Sequence, residues 1–398
     1  TINGGATWTT LDPGAPIEDN SFNKILIHPT NSNILFALSN RSVYKSTNGG
    51  VSWTNTNVPV PFPYQSILQS FTEMKFDESN PNIIYISGSN YFYKSTNGGS
   101  TWTNLMTTLD NQNLSFPATK VSIDLVGSEI YCLLFEVVNN GAQFNGLEKI
   151  VKSINGGSTW TVIEQSRNLN GNAGVTIIKV ANDGTIYAGG VRLHKRDTNG
   201  NWSNVTNNTH DDFRFISLLD PNNSDLVLIA NDGGVWDSSN GGSSWNNLNS
   251  NLNVVQAYDI AISEQDPNIY HIGIHDGGNY YHENGIWTHF GGGDGGACII
   301  DHSNNDILYS LANNSFKRNV VLSPGNINAT NLPLTTLRYD GPIMMHPINS
   351  NTLYASSKFN SWQKAVRVSY DQGNSWQVFS RAGSSKSVTA MDISKSNN

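Results

Sequence analysis

One short stretch recurs along this chain and constrains its fold more than any other feature. It reads Lys-Ser-Thr-Asn-Gly-Gly-Val-Ser-Trp over residues 45–53 and returns nearly unchanged over 94–102 and 152–160. A short side-chain acceptor such as Asn can bond the backbone N–H groups of its own turn, and Gly supplies the positive φ of a tight hairpin. The stretch, called the box here, therefore predicts a repeated β-hairpin that ends on a large aromatic side chain.

Six copies of the box occur. The side-chain acceptor is Asn in five of them and Asp in the sixth, so five copies keep the acceptor but carry no charge there. We expect the acceptor to close the hairpin and the Trp to pack where one repeat meets the next. These residues are therefore predicted to be structural: Asn3 and Trp8, Asn48 and Trp53, Asn97 and Trp102, Asn155 and Trp160, Asn240 and Trp245, and Asp371 and Trp376.

The box tryptophans and their degenerate counterparts recur about every 45 residues, the period of four short strands and their turns. Sustained helical periodicity is nearly absent, whereas short alternating runs rich in Ile, Val, Tyr and Thr are frequent. Polar turns such as residues 28–31 and 346–349 precede apolar strands and give the same register. The pattern predicts an all-β chain whose complete four-stranded units begin near residues 22, 69, 117, 172, 212, 254, 294 and 337.

The box resembles the Asp-box, or BNR repeat, of β-propeller proteins. That resemblance covers essentially the whole chain. It implies antiparallel four-stranded blades, each with its box hairpin between the third and fourth strands, on the outer rim and away from the ligand-binding face. Residues 1–398 are then a β-propeller array of eight complete blades. Partial blades at both ends indicate a window of a longer chain, because a half blade would leave exposed sheet edges. Parts of two tandem seven-bladed propellers are the alternative.

The composition limits the classes of partner that the protein is expected to bind. Charged residues make up 14% of the chain and the formal net charge is −8, which disfavours nucleic acid and anionic membranes. No apolar run is long enough to cross a membrane. The sequence predicts no cofactor and leaves a structural cation such as calcium open.

Candidate ligand-binding residues follow from the alternation of strand direction. Box hairpins and first-to-second turns share one face, so the remaining loops share the other. Carboxylates and imidazoles in these Gly-rich loops could bind a cation or act as acid and base, although Asp-Gly pairs are also ordinary turn chemistry. The predicted ligand-binding residues are His210, Asp211, Asp212, Asp232, His275, Asp276 and Asp294, with the aromatic residues Phe359 and Trp362.

The run from His210 to Asp294 resembles bacterial secreted proteins described as sortilin-like or glycosyl-hydrolase-like. The resemblance rests on Asn-Asp-Gly-Gly at 231–234, Gln-x-Tyr at 256–258 and Gly-Gly-Asp-Gly at 292–295, and it departs from their pattern at 275–278. It implies a secreted or cell-surface protein, assembled or anchored there through regions outside this sequence.

Three functions compete for such a propeller. A sialidase requires an arginine triad, and the scattered arginines here exclude it. A xyloglucanase-type endo-acting glycoside hydrolase would use paired aspartates, for which Asp232 and Asp294 are the best pair, but the opening motif of that family is absent. The preferred interpretation is a non-catalytic module that binds a glycan or a peptide through the loops opposite the box hairpins.

Overall fold

The structure is a computed structural model that describes residues 6–7, 22–59, 70–89, 91–110, 120–139, 144–167, 176–250, 255–313, 315–323, 325–334, 341–358, 364–381, 391 and 393. The chain divides into two compact units, Thr1–Leu252 and Asn253–Asn398. Among the described residues no helix is long and apolar enough to span a membrane.

Among its described residues the first unit contains five four-stranded antiparallel sheets in which neighbouring strands follow chain order. A short helix, α1 (Met106–Asp110), follows the second sheet. The sheets are β1 (Phe22–Ile27), β2 (Leu35–Ser39), β3 (Val43–Ser46), β4 (Thr54–Asn55); β5 (Phe71–Phe76), β6 (Ile84–Gly88), β7 (Tyr91–Ser95), β8 (Thr103–Asn104); β9 (Lys120–Val126), β10 (Glu129–Asn139), β11 (Phe144–Ser153), β12 (Thr161–Arg167); β13 (Ile177–Val180), β14 (Ile186–Gly189), β15 (Leu193–Arg196), β16 (Trp202–Asn204); and β17 (Phe213–Leu218), β18 (Val227–Asn231), β19 (Gly234–Ser238), β20 (Asn246–Asn247).

The second unit contains three sheets of the same kind. They are β21 (Ala257–Ile262), β22 (Tyr270–Ile274), β23 (Gly278–Glu283), β24 (Ile286–Phe290); β25 (Gly295–Asp301), β26 (Asn304–Ala312), β27 (Ser315–Ser323), β28 (Asn326–Asn331); and β29 (Ile343–Met345), β30 (Leu353–Lys358), β31 (Lys364–Ser369), β32 (Gln377–Arg381). The predicted fold class, an all-β chain of four-stranded antiparallel propeller blades, is confirmed. The box hairpins lie between third and fourth strands, as predicted.

Successive blades within each unit pack side by side. The first strands of neighbouring blades contact one another, from β1 through β5, β9 and β13 to β17 in the first unit and from β21 through β25 to β29 in the second. Apolar side chains fill the space between adjacent sheets. Phe36 and Leu38 of the first blade, for example, form one buried cluster with Phe71 and Ile84 of the second. The core is therefore a series of interfaces between blades.

The box closes its own hairpin by hydrogen bonds that repeat from blade to blade. In the third blade the side-chain oxygen of Asn155 accepts the Thr159 N–H at 2.9 Å, and the Ser153 hydroxyl accepts the Gly157 N–H at 2.9 Å. Gly157 has a φ of 89°, which favours glycine. The serine-to-acceptor bond that accompanies these contacts measures 2.9 Å for Ser46 and Asn48, 3.0 Å for Ser95 and Asn97, 3.0 Å for Ser153 and Asn155, 2.9 Å for Ser238 and Asn240, and 2.7 Å for Ser369 and Asp371. Asn3 and Trp8 lie outside the described residues.

Three of the box tryptophans hydrogen-bond the preceding blade. Trp160 is buried, packs on Phe92 at a ring-centroid distance of 5.9 Å and donates from Nε1 to the Thr108 hydroxyl at 3.1 Å. Trp102 and Trp245 donate to the preceding blade in the same way, at 3.2 and 2.8 Å. Trp53 and Trp376 instead bond carbonyl groups of their own boxes, at 3.0 and 2.9 Å. The box end of the blade is thus occupied by structural contacts.

Candidate functional site

The loop end of the fifth blade holds His210 close to the β18–β19 turn. The Asn231 side-chain amide donates to the His210 carbonyl at 2.6 Å and its oxygen accepts the Gly233 N–H at 3.0 Å. A Cβ atom on Gly233 would lie 2.5 Å from the Cβ of His210. Glycine at this position therefore lets the blade connection sit directly against the turn that carries Asp232.

Asp232 forms a bidentate ion pair with Arg214 of β17. The guanidinium donates from Nε and one terminal nitrogen to the two carboxylate oxygens, at 2.9 and 3.0 Å. A paired guanidinium favours the ionised carboxylate. The general acid of a glycoside hydrolase must instead hold a proton. This contact suits a fixed anionic group better than an acid catalyst.

The first strands of the first unit enclose a cavity of about 270 Å³. Its charged lining is mostly basic: Lys24, Lys75, Lys120 and Arg214, with Glu73 as the acidic member. Lys24 forms an ion pair with Glu73. Behind the lining, the buried carboxylate of Asp124 contacts Lys75 at 2.5 Å and Lys179 at 3.2 Å, and it accepts the Val180 N–H at 2.8 Å.

Lys120 is the most deeply buried cation of this cavity, with 6% of its surface exposed. Burial and, to a lesser extent, the neighbouring positive charge of Arg214 together lower its pKa to about 8. The cause is physical: a low-dielectric environment disfavours the charged ammonium, and a like charge adds to that cost.

The second unit brings together three of the predicted residues. His275, at the end of the β22–β23 hairpin, places its Nε2 atom 3.5 Å from a carboxylate oxygen of Asp276 and 3.6 Å from one of Asp294. Its other ring nitrogen, Nδ1, lies 3.2 Å from Oε1 of Gln256, and the ring packs against Tyr258 with centroids 5.1 Å apart. The side chains of His275, Asp276 and Asp294 are about a third exposed, at 37%, 28% and 27%. They form a polar cluster that solvent and ligands can reach.

Two glycine-rich segments hold this cluster in place. The Asp276 N–H donates to an oxygen of Asp294 at 3.2 Å, and the Gly278 N–H donates to the Gly293 carbonyl at 2.7 Å. Gly278 has a φ of 75°, and a Cβ atom there would lie 1.8 Å from the carbonyl oxygen of Gly291. Only glycine permits such close backbone approach. The Gly-Gly sequences therefore serve to bring the His275 hairpin against the connection that carries Asp294.

The predicted residues are divided between the two units. His210, Asp211, Asp212 and Asp232 lie in the first unit, and His275, Asp276 and Asp294 in the second. A ligand-binding role for these seven residues stays a prediction, as does one for Phe359 and Trp362, which lie outside the described residues. The sequence analysis did not select Gln256, Tyr258 or the basic residues of the cavity as site residues. The Gln-x-Tyr motif was the available signal for the first two, and basic side chains repeated along first strands were the signal for the cavity.

The comparison with known families agrees with the fold. The family described as sortilin, neurotensin receptor 3, matches residues 1–182. The matched residues, fewer than half of the chain, are similar to that family. The match confirms the resemblance to Asp-box β-propellers that the repeats predicted. No curated protein matches the sequence.

Solved structures similar to this chain are β-propellers of low sequence identity. The GH74 enzyme of Niastella koreensis is 18% identical over 90% of this chain and 71% of its own, with a TM-score of 0.39. The GH74 xyloglucanase of Xanthomonas campestris is 14% identical over 90% of this chain and 60% of its own, with a TM-score of 0.41. PorZ, a surface component of the type-IX secretion system of Porphyromonas gingivalis, is 12% identical over 88% of this chain and 59% of its own, with a TM-score of 0.33. Likeness at this level concerns the fold and carries no function.

Proposed function

We propose that this protein is a non-catalytic β-propeller module that acts outside the cell or at its surface and binds a glycan or a peptide. The ligand contacts the loops opposite the box hairpins. One observation carries the proposal: His275, Asp276 and Asp294 are drawn together at that end of the blade, about a third exposed, beside the ring of Tyr258.

The two ends of a blade support different tasks. At the box end, polar and aromatic groups such as Trp160 are used in contacts between blades. At the loop end, glycine-mediated backbone contacts position carboxylates whose surfaces remain partly accessible. Polar groups on loops that a rigid scaffold holds in place are the usual arrangement of a binding site.

The chemistry of the cluster suits ligands rich in hydrogen-bond donors. Asp276 and Asp294 can accept from sugar hydroxyls or from peptide N–H and ammonium groups. The ring of Tyr258 offers an apolar face and a hydroxyl. Gln256 adds both a donor and an acceptor. Glycans and peptides both present such groups.

Two features favour binding over hydrolysis. Asp232 is engaged by Arg214 through both oxygens, which suits a permanently charged carboxylate. Asp294 accepts a backbone N–H from Asp276 and faces the ring of His275. A hydrolase requires one carboxylic acid that is protonated and one that is ionised, and a carboxylate held by a guanidinium through both oxygens does not suit the protonated role.

Glycan and peptide arrays probed with the full chain test this function. We expect binding to one class without release of reducing sugar from β-glucans, and a loss of binding of tenfold or more in Asp294→Asn. Asp306→Asn is the matched control, because it removes the same charge from an exposed position at the opposite end of its blade. Turnover of a β-glucan that Asp294→Asn abolishes would overturn the proposal in favour of the hydrolase. Equal array binding by the two variants would remove the cluster from the site.

A further inference from the structure

We propose that His275, Asp276 and Asp294 form a binding site for a divalent transition-metal ion of the zinc class. This metal site is a further property of the protein, and it does not depend on the proposed recognition of a glycan or a peptide. All three residues belong to the second unit, and their ligand atoms lie within 4.8 Å of one another.

The distances fit an ion placed between the side chains. A charge-assisted N–H···O bond is about 2.7–2.9 Å long, whereas His275 Nε2 lies 3.5 and 3.6 Å from the two carboxylates. A tetrahedral zinc site with bonds of about 2.0–2.1 Å separates its ligand atoms by about 3.3–3.4 Å. The observed spacing is therefore too long for a direct hydrogen bond and close to that of ligands that share a metal.

The orientation of the imidazole supports the same conclusion. Gln256 Oε1, an acceptor, lies 3.2 Å from Nδ1 of His275, and the tautomer that satisfies this contact carries its proton on Nδ1 and donates it. Nε2 then presents its lone pair toward the carboxylates of Asp276 and Asp294. Three acceptors converge, and a cation makes that arrangement favourable. A hydrogen bond to the other ring nitrogen is the outer-shell contact that orients metal-binding histidines.

The ligand set selects the metal. Imidazole nitrogen with carboxylate oxygens suits zinc and its first-row neighbours, whereas calcium takes six to eight oxygen ligands. The calcium left open by the sequence is therefore a poorer fit at this site. Because the three side chains are about a third exposed, water completes the coordination.

Calorimetric titration of Zn²⁺ into the EDTA-treated full chain tests the site. We expect one site per chain, weakened at least tenfold in His275→Gln and in Asp294→Asn. Gln256→Ala, which removes a positioning residue, should weaken binding by roughly 10–100-fold. His289→Gln is the control, because that histidine stacks on Tyr280 instead. Visible absorption of bound Co²⁺ should show a tetrahedral spectrum that His275→Gln loses.

Each outcome decides the proposal. No Zn²⁺ binding by the wild-type chain, or equal affinity in wild type and His275→Gln, overturns it. Tighter binding of Ca²⁺ than of Zn²⁺ also overturns it. Unchanged melting temperatures of the metal-free variants would show that they fold. The result is independent of the arrays, because a chain that binds no glycan or peptide can still bind Zn²⁺.

Discussion

Lys45 Nζ donates a 2.8 Å hydrogen bond to the carbonyl oxygen of Gly98, in the box hairpin of the next blade. Lys94 repeats the contact with Gly156 at 3.0 Å. Each ammonium also lies over an aromatic ring of its own blade; for Lys45 this is the ring of Phe36, 5.3 Å away. The lysine that opens these two boxes thus joins consecutive blades, whereas Lys152 of the third box pairs with Glu129 of its own blade.

Removing this link should destabilise the first unit. Lys45→Met keeps the apolar stem over Phe36 but deletes the donor to Gly98. We expect a loss of about 1–2 kcal/mol in the free energy of unfolding, because a hydrogen bond from a charged group is broken at a partly exposed site. Urea denaturation measures the loss. Lys317→Met, a lysine of the third strand β27, should leave the midpoint nearly unchanged, and an equal effect of both variants would argue against the link.

The buried box tryptophan should contribute more than an exposed one. Trp160→Ala removes a side chain that is 7% exposed and creates a cavity against Phe92, so we expect a loss of about 3–5 kcal/mol. Trp287→Ala is the comparison, because Trp287 occupies the equivalent hairpin of the sixth blade but is 51% exposed. Thermal unfolding of both variants distinguishes them. An unchanged melting temperature for Trp160→Ala would contradict the role of the Trp as a contact between blades.

Local chemistry made the blades predictable from sequence. Asn155 bonds atoms within four residues, so its role depends on the segment alone. Strand period and turn residues then fix the order of the sheets. The face on which His275 and Asp294 lie also followed from alternating strand direction.

Contacts that depend on distant packing could not be predicted in the same way. Gln256 lies 19 positions before His275, and nothing in either segment specifies their hydrogen bond. The burial of Lys120 depends on first strands from several blades, which a reading of one blade does not reveal. The acceptor of Lys45 likewise belongs to another blade. Long-range geometry, rather than residue type, decided these features.

Stability should fall at acid pH because of a buried neutral histidine. His271 is fully buried between the Ile299 carbonyl and the Asn279 side chain, and burial lowers its pKa to about 4, against hydrogen bonds to these groups that raise it. Between about pH 6.5 and 4 the unfolded chain binds more protons than the folded one, so folding loses stability as the pH falls.

The same titration predicts the behaviour of two variants. His271→Gln should flatten the acid limb between pH 6.5 and 4, where the wild-type chain loses up to about 3 kcal/mol. His289→Gln, at an exposed ring, should retain the wild-type slope. Urea denaturation at a series of pH values measures both. Parallel curves for wild type and His271→Gln would contradict the assignment.

Lys120 should make stability depend on pH in the alkaline range. Its folded pKa of about 8 lies below the ordinary lysine value of 10.5, because the amine is buried near Arg214. Between pH 8 and 10 the unfolded chain therefore binds more protons, and stability rises with pH. Lys120→Met removes the buried charge and should stabilise the chain at pH 7 by on the order of 3 kcal/mol, with the gain shrinking as the pH approaches 10. Chemical denaturation at pH 7 and at pH 10 measures this change, with Lys317→Met as the control. A destabilised Lys120→Met at pH 7 would show that the ammonium is held by contacts stronger than its desolvation.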